Sequence, residues 1–232
     1  MSYTEPGHPS PLPFRCRNCG NDLEGLPTDV IFYCWHCGRC WGLEQDFSPL
    51  GIDFMRMGGE GTVPLPFWKV DVTVSIYRRM SRRESSPSMV RGFREFTGGE
   101  RGLSDHEPET RRDRLIFPAF STSLVLSTGV RMHRENFLPE RLEHGSSARV
   151  FGGSVGLPDA RTLARGVAVG VEVSRKDFLA CVDLDVEVSS ASIYAVGCTQ
   201  EEHLMRINGS RIALPFSAVR DCGEILRMNS RT

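Results

Sequence analysis

Residues 16–20 read CRNCG and residues 34–40 read CWHCGRC, with thirteen residues between the two stretches. Each begins with two cysteines that are separated by two residues and followed by a glycine. A tight turn of this kind presents both sulfur atoms on one side, and the glycine suits a backbone turn with positive φ. Two such turns supply the four thiolates that a tetrahedral metal ion prefers. The spacing therefore predicts a structural metal site with four ligands: Cys16, Cys19, Cys34 and Cys37.

This pattern resembles that of the zinc-ribbon family over residues 12–46. The resemblance implies a β-hairpin that carries both knuckles around one structural Zn²⁺ ion. Residues 30–33 and 40–43 supply plausible strands for that hairpin. A ribbon implies a metal but no particular activity, since ribbons occur in many unrelated proteins.

Cys40 leaves a second arrangement open, because Cys37 and Cys40 are also separated by two residues. We prefer the pair Cys34 and Cys37, since both knuckles then end in Cys-Gly and Cys40 becomes a spare thiol. A rubredoxin-like iron site uses the same four ligands. An iron–sulfur cluster would use CxxCxxC and a fourth cysteine, but Glu44 stands where the ferredoxin run needs that cysteine.

Bulk composition excludes several other classes. The net charge is −1, so no overall field favours nucleic acid or an anionic membrane. No apolar run approaches the length of about eighteen residues that a membrane span needs. The first thirteen residues lack the basic head and apolar core of a signal peptide. We therefore expect a cytoplasmic protein whose scattered Cys181, Cys198 and Cys222 are reduced.

The chain is expected to have three parts: a flexible arm over residues 1–13, the zinc ribbon over 14–46, and a β-rich domain over 47–232. Within that domain, residues 47–62 look like a loop that ends in a glycine cluster. Residues 78–114 combine many arginines with interleaved acids and have almost no apolar periodicity. That composition predicts a long mobile loop.

Alternation of apolar and polar residues predicts two half-buried strands, at residues 68–77 and 178–188. One face of the second strand carries Asp183, Asp185 and Glu187, which we interpret as a solvated acidic stripe. Further short strands are predicted at 115–120, 124–130, 193–198, 203–207 and 211–214. The last two would form a hairpin through a type I′ turn at Asn208-Gly209.

Helical signals are weaker. Pro158 and Asp159 can open a helix, which Gly166 is expected to stop, and residues 215–228 could form a short helix or coil. Long amphipathic helices that alternate with strands are missing. The sequence therefore predicts a β-dominated α+β fold: a small zinc ribbon, then an antiparallel or mixed sheet with one or two short helices.

Residues 152–156 (GGSVG) match the GxSxG pattern of a nucleophile elbow. A Ser154 hydrolase would need a downstream acid and histidine, for which Asp183 or Asp185 and then His203 are the candidates. The upstream strands and helices of an α/β-hydrolase are not visible, and the acids lie within a regular strand. We therefore interpret the motif as a glycine-rich turn and predict no catalytic residue.

The first functional hypothesis is a non-enzymatic, zinc-containing accessory or scaffold protein that binds a protein partner or a larger assembly. The alternative is a nucleic-acid-binding ribbon, in which arginine and tryptophan side chains would contact bases. Its contact set would be Arg15, Arg17, Trp35, Arg39 and Trp41. Two further alternatives are a rubredoxin-like or iron–sulfur electron carrier and the Ser154 hydrolase.

Overall fold

Eight strands form a single mixed sheet in the computed structural model, which describes residues 14–43, 49–57, 63–81, 107–139, 149–175 and 179–229. The strands are β1 (Ile31–Tyr33), β2 (Cys40–Leu43), β3 (Pro49–Met57), β4 (Val63–Ser81), β5 (Glu109–Pro118), β6 (Leu179–Glu201), β7 (Leu204–Ile207) and β8 (Ala213–Pro215). The helices in this part of the chain are α1 (Val125–Arg134), α2 (Leu157–Val173) and α3 (Cys222–Asn229), with a 3₁₀ turn at Phe216–Ala218. The predicted β-dominated α+β class is confirmed.

The sheet runs in the order β1-β2-β3-β6-β4-β5. Its neighbours are antiparallel except β3 and β6, which are parallel. β4 and β6 form the central ladder, from the pair Val63 and Cys198 to the pair Ser81 and Leu179. On the other side of β6, β3 pairs along part of the strand and β7 pairs beyond it, and β8 extends β7.

The alternation predicted for residues 68–77 is confirmed in β4. Four of its apolar side chains are almost fully buried on one face: Val70, Val72, Val74 and Ile76. Residues between them project to the opposite face, because successive strand residues alternate. The strands predicted at 178–188 and 193–198 are also present, joined into the single strand β6.

Helices α1 and α2 cover the face of the sheet that carries Val70 and Val72. The buried side of α2 is made of small and branched residues: Ala160, Ala164, Val167, Ala168 and Val171. Trp68 is fully buried at this interface, and its indole N–H donates to the Val155 carbonyl at 2.8 Å. Within the described ranges, no helix combines the length and the apolar character that crossing a membrane requires.

A second apolar cluster lies on the opposite face, near the start of β4. Leu65 and Phe67 are fully buried there, and the Phe67 ring meets Phe120 edge to face with centroids 5.5 Å apart. Met205 of β7 and Ile225 of α3 belong to the same cluster. The sheet is thus buried on both faces at this end, whereas farther along β4 only the helix side is covered.

Two loop predictions are wrong where the structure tests them. Of residues 47–62, β3 occupies Pro49–Met57, because those residues pair with β2 and with β6. Of residues 78–114, the first four belong to β4, and residues 109–114 belong to β5. Residues 107 and 108 precede β5 without regular secondary structure, and residues 82–106 lie outside the described residues.

Two predictions around the helices are also wrong, and the packing explains both. Of residues 124–130, Leu124 is the N-cap of helix α1 and the others lie within it, not in a strand. Helix α2 continues through Gly166 to Val173. A side chain at Gly166 would meet Leu126 of α1, and one at Gly170 would meet Val130. The glycines therefore allow the two helices to pack closely, and they do not end α2.

The hairpin of β7 and β8 is present, but its turn differs from the predicted type. Type I′ requires positive φ at both central residues. Gly209 has φ +77°, whereas Asn208 is not among the positive-φ residues of the described chain. The Ser210 N–H donates to the Ile207 carbonyl at 3.2 Å, and Ile207 in turn bonds across the loop to Ile212. The loop is therefore longer than two residues.

The contact between α1 and α2 yields a first prediction. A Cβ atom at Gly129 would lie 2.8 Å from Val167 Cγ2 and 3.0 Å from Phe117 Cβ. We expect Gly129→Ala to lower the free energy of unfolding by about 1–3 kcal/mol, as overpacking does. Urea denaturation measures this. Gly223→Ala is the control, since nothing lies within 4 Å of its Cβ position, and equal losses in both variants would contradict the argument.

Candidate metal centre

The four predicted cysteines come together in one cluster. Their sulfur atoms all lie within 4.8 Å of one another. The distance from Cys16 Sγ to Cys37 Sγ is 3.5 Å, and that from Cys19 Sγ to Cys34 Sγ is also 3.5 Å. A tetrahedron with metal–sulfur bonds of about 2.3 Å has edges of about 3.8 Å, whereas a disulfide needs about 2.05 Å. The group could therefore hold one metal ion.

Each knuckle is a tight hydrogen-bonded turn. The Gly20 N–H donates to the Cys16 carbonyl at 2.8 Å, and the Gly38 N–H donates to the Cys34 carbonyl at 2.8 Å. Both glycines have positive φ, +75° and +72°, as predicted for these positions. In this geometry the later amides of each turn point at the sulfur of its first cysteine.

Those amides affect the thiols unequally. Burial opposes ionisation of Cys16. Hydrogen bonds from the backbone N–H groups of Cys19 and Asn18, from the Cys37 thiol and from the Trp41 indole N–H outweigh burial and lower the pKa of Cys16 to about 6. The pKa of Cys19 is also lowered, chiefly by Asn21. Cys34 lies deeper, and burial raises its pKa to about 12. The hydrogen bonds thus favour the thiolate form of Cys16 and Cys19, whereas burial disfavours the thiolate form of Cys34.

Two donors to the sulfurs were not predicted. The Trp41 indole N–H lies 3.3 Å from Cys16 Sγ, and the Asn21 amide nitrogen lies 3.4 Å from Cys19 Sγ. Hydrogen bonds of this kind orient metal ligands and stabilise their charge. Asn21 follows its knuckle directly, so its position could have suggested the role. Trp41 comes from the far strand of the hairpin, and only the folded ribbon reveals its contact.

Cys40 is not part of the sulfur group. It lies on β2 opposite Tyr33, is buried, and packs with Ile31, Trp68 and Ile193 in the cluster beneath the helices. Burial raises the pKa of its thiol to about 12. The arrangement in which Cys40 replaces Cys34 is therefore not the one that the fold assembles.

The hairpin that carries the knuckles is continuous with the large sheet. β2 pairs with β3, and β3 pairs with β6. On its other side the hairpin contacts the segment that precedes α2, where the N–H groups of Val30 and Ile31 both donate to the Gly153 carbonyl at 2.7 and 2.8 Å. A Cβ at Gly153 would lie 2.7 Å from Ile31 Cβ. Gly153, the second glycine of the GGSVG motif, therefore allows this segment to pack closely against the ribbon.

Asp29 joins the ribbon to the same segment. Its Oδ2 accepts N–H bonds from Leu26 at 2.9 Å and from Gly152 at 3.1 Å. Its Oδ1 is buried and has no partner among the described residues. Burial raises the pKa of this carboxyl to about 6, against the two N–H donors, and nearby Asp221 adds to the increase.

A second prediction follows from the sign of that change. The pKa of Asp29 is higher when folded, so stability is greatest at low pH and falls as pH rises from about 4 to about 6. Complete ionisation of Asp29 lowers the free energy of unfolding by about 3 kcal/mol. We expect Asp29→Asn to raise the free energy of unfolding, by about 1 kcal/mol more at pH 8 than at pH 5. Urea unfolding at both values measures this.

Asp53→Asn provides the control, because this carboxylate is exposed on β3. The same change in both variants between the two pH values would contradict the assignment to Asp29. Comparing each variant with the wild type at the same pH cancels the effect of pH on the cysteine cluster.

Of the residues suggested for nucleic-acid contact, Trp41 is partly buried, and the others are exposed: Arg15, Arg17, Trp35 and Arg39. Trp41 is turned toward Cys16, and Arg15 pairs with Asp22 at 3.3 Å. Trp35 is 45% exposed, stacks on His36 with centroids 3.6 Å apart, and has the Arg149 guanidinium 5.0 Å from its ring. Residues 14–43 contain three arginines and three acidic residues, so the ribbon has no excess of basic side chains.

The serine, acid and histidine of the hydrolase alternative are not brought together. Ser154 Oγ accepts the Ser121 N–H at 2.7 Å. Asp183 lies near the start of β6, and His203 follows its end. Glu201, at the end of β6, is eighteen positions beyond Asp183, which corresponds to about 60 Å at roughly 3.3 Å per residue. No triad forms from these residues, and Asp185 is little better placed.

A buried ion-pair group was also missed by the sequence analysis. Glu172 on α2 is fully buried, and its carboxylate contacts three arginines: Arg79 at 3.0 Å, Arg111 at 2.5 Å and Arg175 at 3.2 Å. These arginines come from two strands and from the end of α2. No local sequence pattern predicts such a group, because its members are far apart in the chain.

Comparison with models of known protein families, with curated proteins and with solved structures found no match to this chain. Functional inference therefore depends on the geometry of the cysteine cluster and of the surfaces around it.

Proposed function

We propose that Cys16, Cys19, Cys34 and Cys37 hold one structural Zn²⁺ ion, and that the protein is a non-enzymatic accessory or scaffold protein that binds a protein partner or a larger assembly. The observation that carries the proposal is the closed set of four sulfurs within 4.8 Å. Four protein ligands complete a tetrahedral zinc site and leave no position for substrate.

The chemistry of the cluster fits zinc. Thiolate ligands suit a borderline-soft ion, and zinc accepts tetrahedral geometry without preference from its d electrons. The amide donors around Cys16 and the Trp41 N–H would share the negative charge of the thiolates. A bound cation would also ionise Cys34, whose burial otherwise disfavours the thiolate.

Elemental analysis of the purified full chain, combined with co-purification from the native source, tests both halves. We expect about one zinc per chain, a colourless solution, and a defined protein partner that stays bound through size-exclusion chromatography. If the protein instead contains iron and absorbs visible light, the site is a rubredoxin-like iron centre and the zinc assignment is wrong. A monomer that retains no partner would contradict the scaffold role.

A nucleic-acid-binding ribbon is the second candidate, and the observation that favours it is the exposed Trp35 ring beside Arg149. Such a pair can stack on an unpaired base. Titration with single-stranded DNA and RNA at low salt tests it. Binding that weakens steeply with salt and is lost in Trp35→Ala would support this candidate, and no binding at low salt would remove it.

A further inference from the structure

In the part of the chain that the structure describes, the first half of β6 is paired on one side only, and its other side is called the open edge below. Along residues 179–191, β6 pairs with β4 on one side. On its other side, β3 occupies Ser192 to Val196, and β7 begins at Cys198. Within the described chain, no strand pairs with that side before Ser192. An edge of this length presents a row of backbone N–H and C=O groups that another strand can use.

This side of β6 already accepts an added strand. β3 pairs in parallel with it at five positions, beginning with Asp53 opposite Ser192. The earlier residues of β3, Pro49 to Ile52, pair with β2. A strand added beside residues 182–187 would therefore extend the layer to which β3 belongs.

The two faces of the edge differ in chemistry. On the helix side, branched apolar residues are only partly buried beneath α2: Val182, Leu184, Val186 and Val188. On the other side, Asp183, Asp185 and Glu187 are exposed. Arg165 of α2 pairs with Asp185 at 2.5 Å, so one guanidinium already contacts this row. A strand that matches both faces has apolar residues alternating with basic ones.

A second copy of the chain does not fit the edge. Two copies related by a two-fold axis would pair antiparallel, and directly opposed residues project to the same face of the sheet. The acidic row of one copy would then lie against the acidic row of the other. Like charges directly opposite each other destabilise a strand pair, so the occupant must carry positive charge.

We infer that the open edge of β6 docks an extended basic segment of a partner protein, which adds to the sheet as a further strand. Backbone hydrogen bonds supply the attachment, as in other strand-addition complexes, and alternate side chains supply the selectivity. The inference rests on the proposed scaffold function, and it names where the partner binds and by what chemistry.

Fluorescence anisotropy with the full chain tests the inference. The probe is a labelled ten-residue peptide of alternating valine and lysine, compared with an alternating valine and glutamate peptide. A third peptide repeats the valine and lysine sequence with alternate backbone nitrogens methylated, which keeps the charge but blocks the ladder. We expect only the first peptide to bind, because it alone offers both positive charge and a full set of N–H donors.

Variants of the acidic row complete the test. Combined Asp183→Asn and Glu187→Gln should weaken peptide binding about threefold to tenfold, as expected for two exposed ion pairs. Glu202→Gln, beyond the other end of β6, removes a charge outside the edge and should leave binding unchanged. Circular dichroism checks that all variants keep the sheet.

Three outcomes would overturn the inference. Equal binding of the methylated peptide would mean that charge alone is recognised. No binding would mean that the acidic row only protects the edge against pairing. Self-association through β6 would assign the edge to a second copy. If the peptide fails while the chain contains zinc and retains its native partner, only the edge assignment falls and the proposed function stands.

Discussion

We expect replacement of Cys34 by alanine to abolish binding of the proposed zinc ion and to unfold the ribbon. Cys34 is fully buried, and its sulfur lies 3.5 Å from Cys19 Sγ. Structural zinc contributes apparent free energies of about 10–16 kcal/mol in small zinc-binding peptides. Most domains have only about 5–15 kcal/mol in total, so we expect a loss of at least about 5 kcal/mol. Zinc content and thermal unfolding of the purified variant measure the two effects.

Cys40→Ala is the matched control for this experiment. Cys40 lies in the same hairpin and is equally buried, but its thiol is outside the sulfur group. We expect this variant to keep one zinc per chain and to lose only about 1 kcal/mol of stability, a typical cost for one substitution. Loss of zinc from Cys40→Ala, or its retention by Cys34→Ala, would show that the ligand set is misassigned.

Replacing Glu172 by alanine will destabilise the body of the protein by about 3–5 kcal/mol, since removing one partner leaves buried charges uncompensated. Arg79 and Arg111 both pair with this carboxylate, and their side chains are only 28% and 24% exposed. Each also has one less buried acidic partner, Glu109 for Arg79 and Asp113 for Arg111. The Nε of Arg111 is already buried and has no partner in the described ranges. Urea denaturation at neutral pH measures the loss.

Glu109→Ala tests whether burial is the cause. Glu109 pairs with the same Arg79, but its side chain is 56% exposed. An exposed pair contributes less than about 1 kcal/mol, so this variant should remain close to the wild type. Comparable losses in the two variants would contradict the argument from burial.

The Glu172 group also has a predictable pH dependence. Burial would raise the pKa of this carboxyl, but hydrogen bonds from Arg79 and Arg111 outweigh burial and hold it below the ordinary value. Its stabilising contribution is therefore present above about pH 4.3 and is lost as the pH falls further. At neutral pH the free energy of unfolding of the wild type should exceed that of Glu172→Gln. This difference should become smaller as the pH falls below about 4.3.

Local patterns in the sequence predicted the elements that are defined by their own periodicity. β4 alternates over many residues, and its buried face contacts α2 regardless of which strands flank it. β3 has no such pattern. Its strand state depends on pairing with β2 and with a part of β6 that is far away in the chain, Ser192 to Val196. Such pairing is a property of the whole fold.

The candidate site divides in the same way. Spacing within each knuckle identified Cys16, Cys19, Cys34 and Cys37, because each short turn brings its own two sulfurs together, and the fold then joins the two pairs. The same spacing could not show whether Cys40 is a ligand. Cys40 is kept out of the sulfur group because it is buried in the apolar cluster that contains Trp68 and Ile193. Gly166 was wrongly predicted to end α2 for a related reason. It allows close packing against Leu126, which lies on another helix.

Because β1 and β2 belong to the same sheet as β6, the ribbon is not a tethered module. Its hairpin shares a hydrogen-bonded layer with the body and is fastened to Gly153 on a second side. Metal occupancy should therefore govern the cooperativity of unfolding. We infer that the metal-loaded chain melts in one transition, and that stripping the metal turns the β3 side of the sheet into the first part to open.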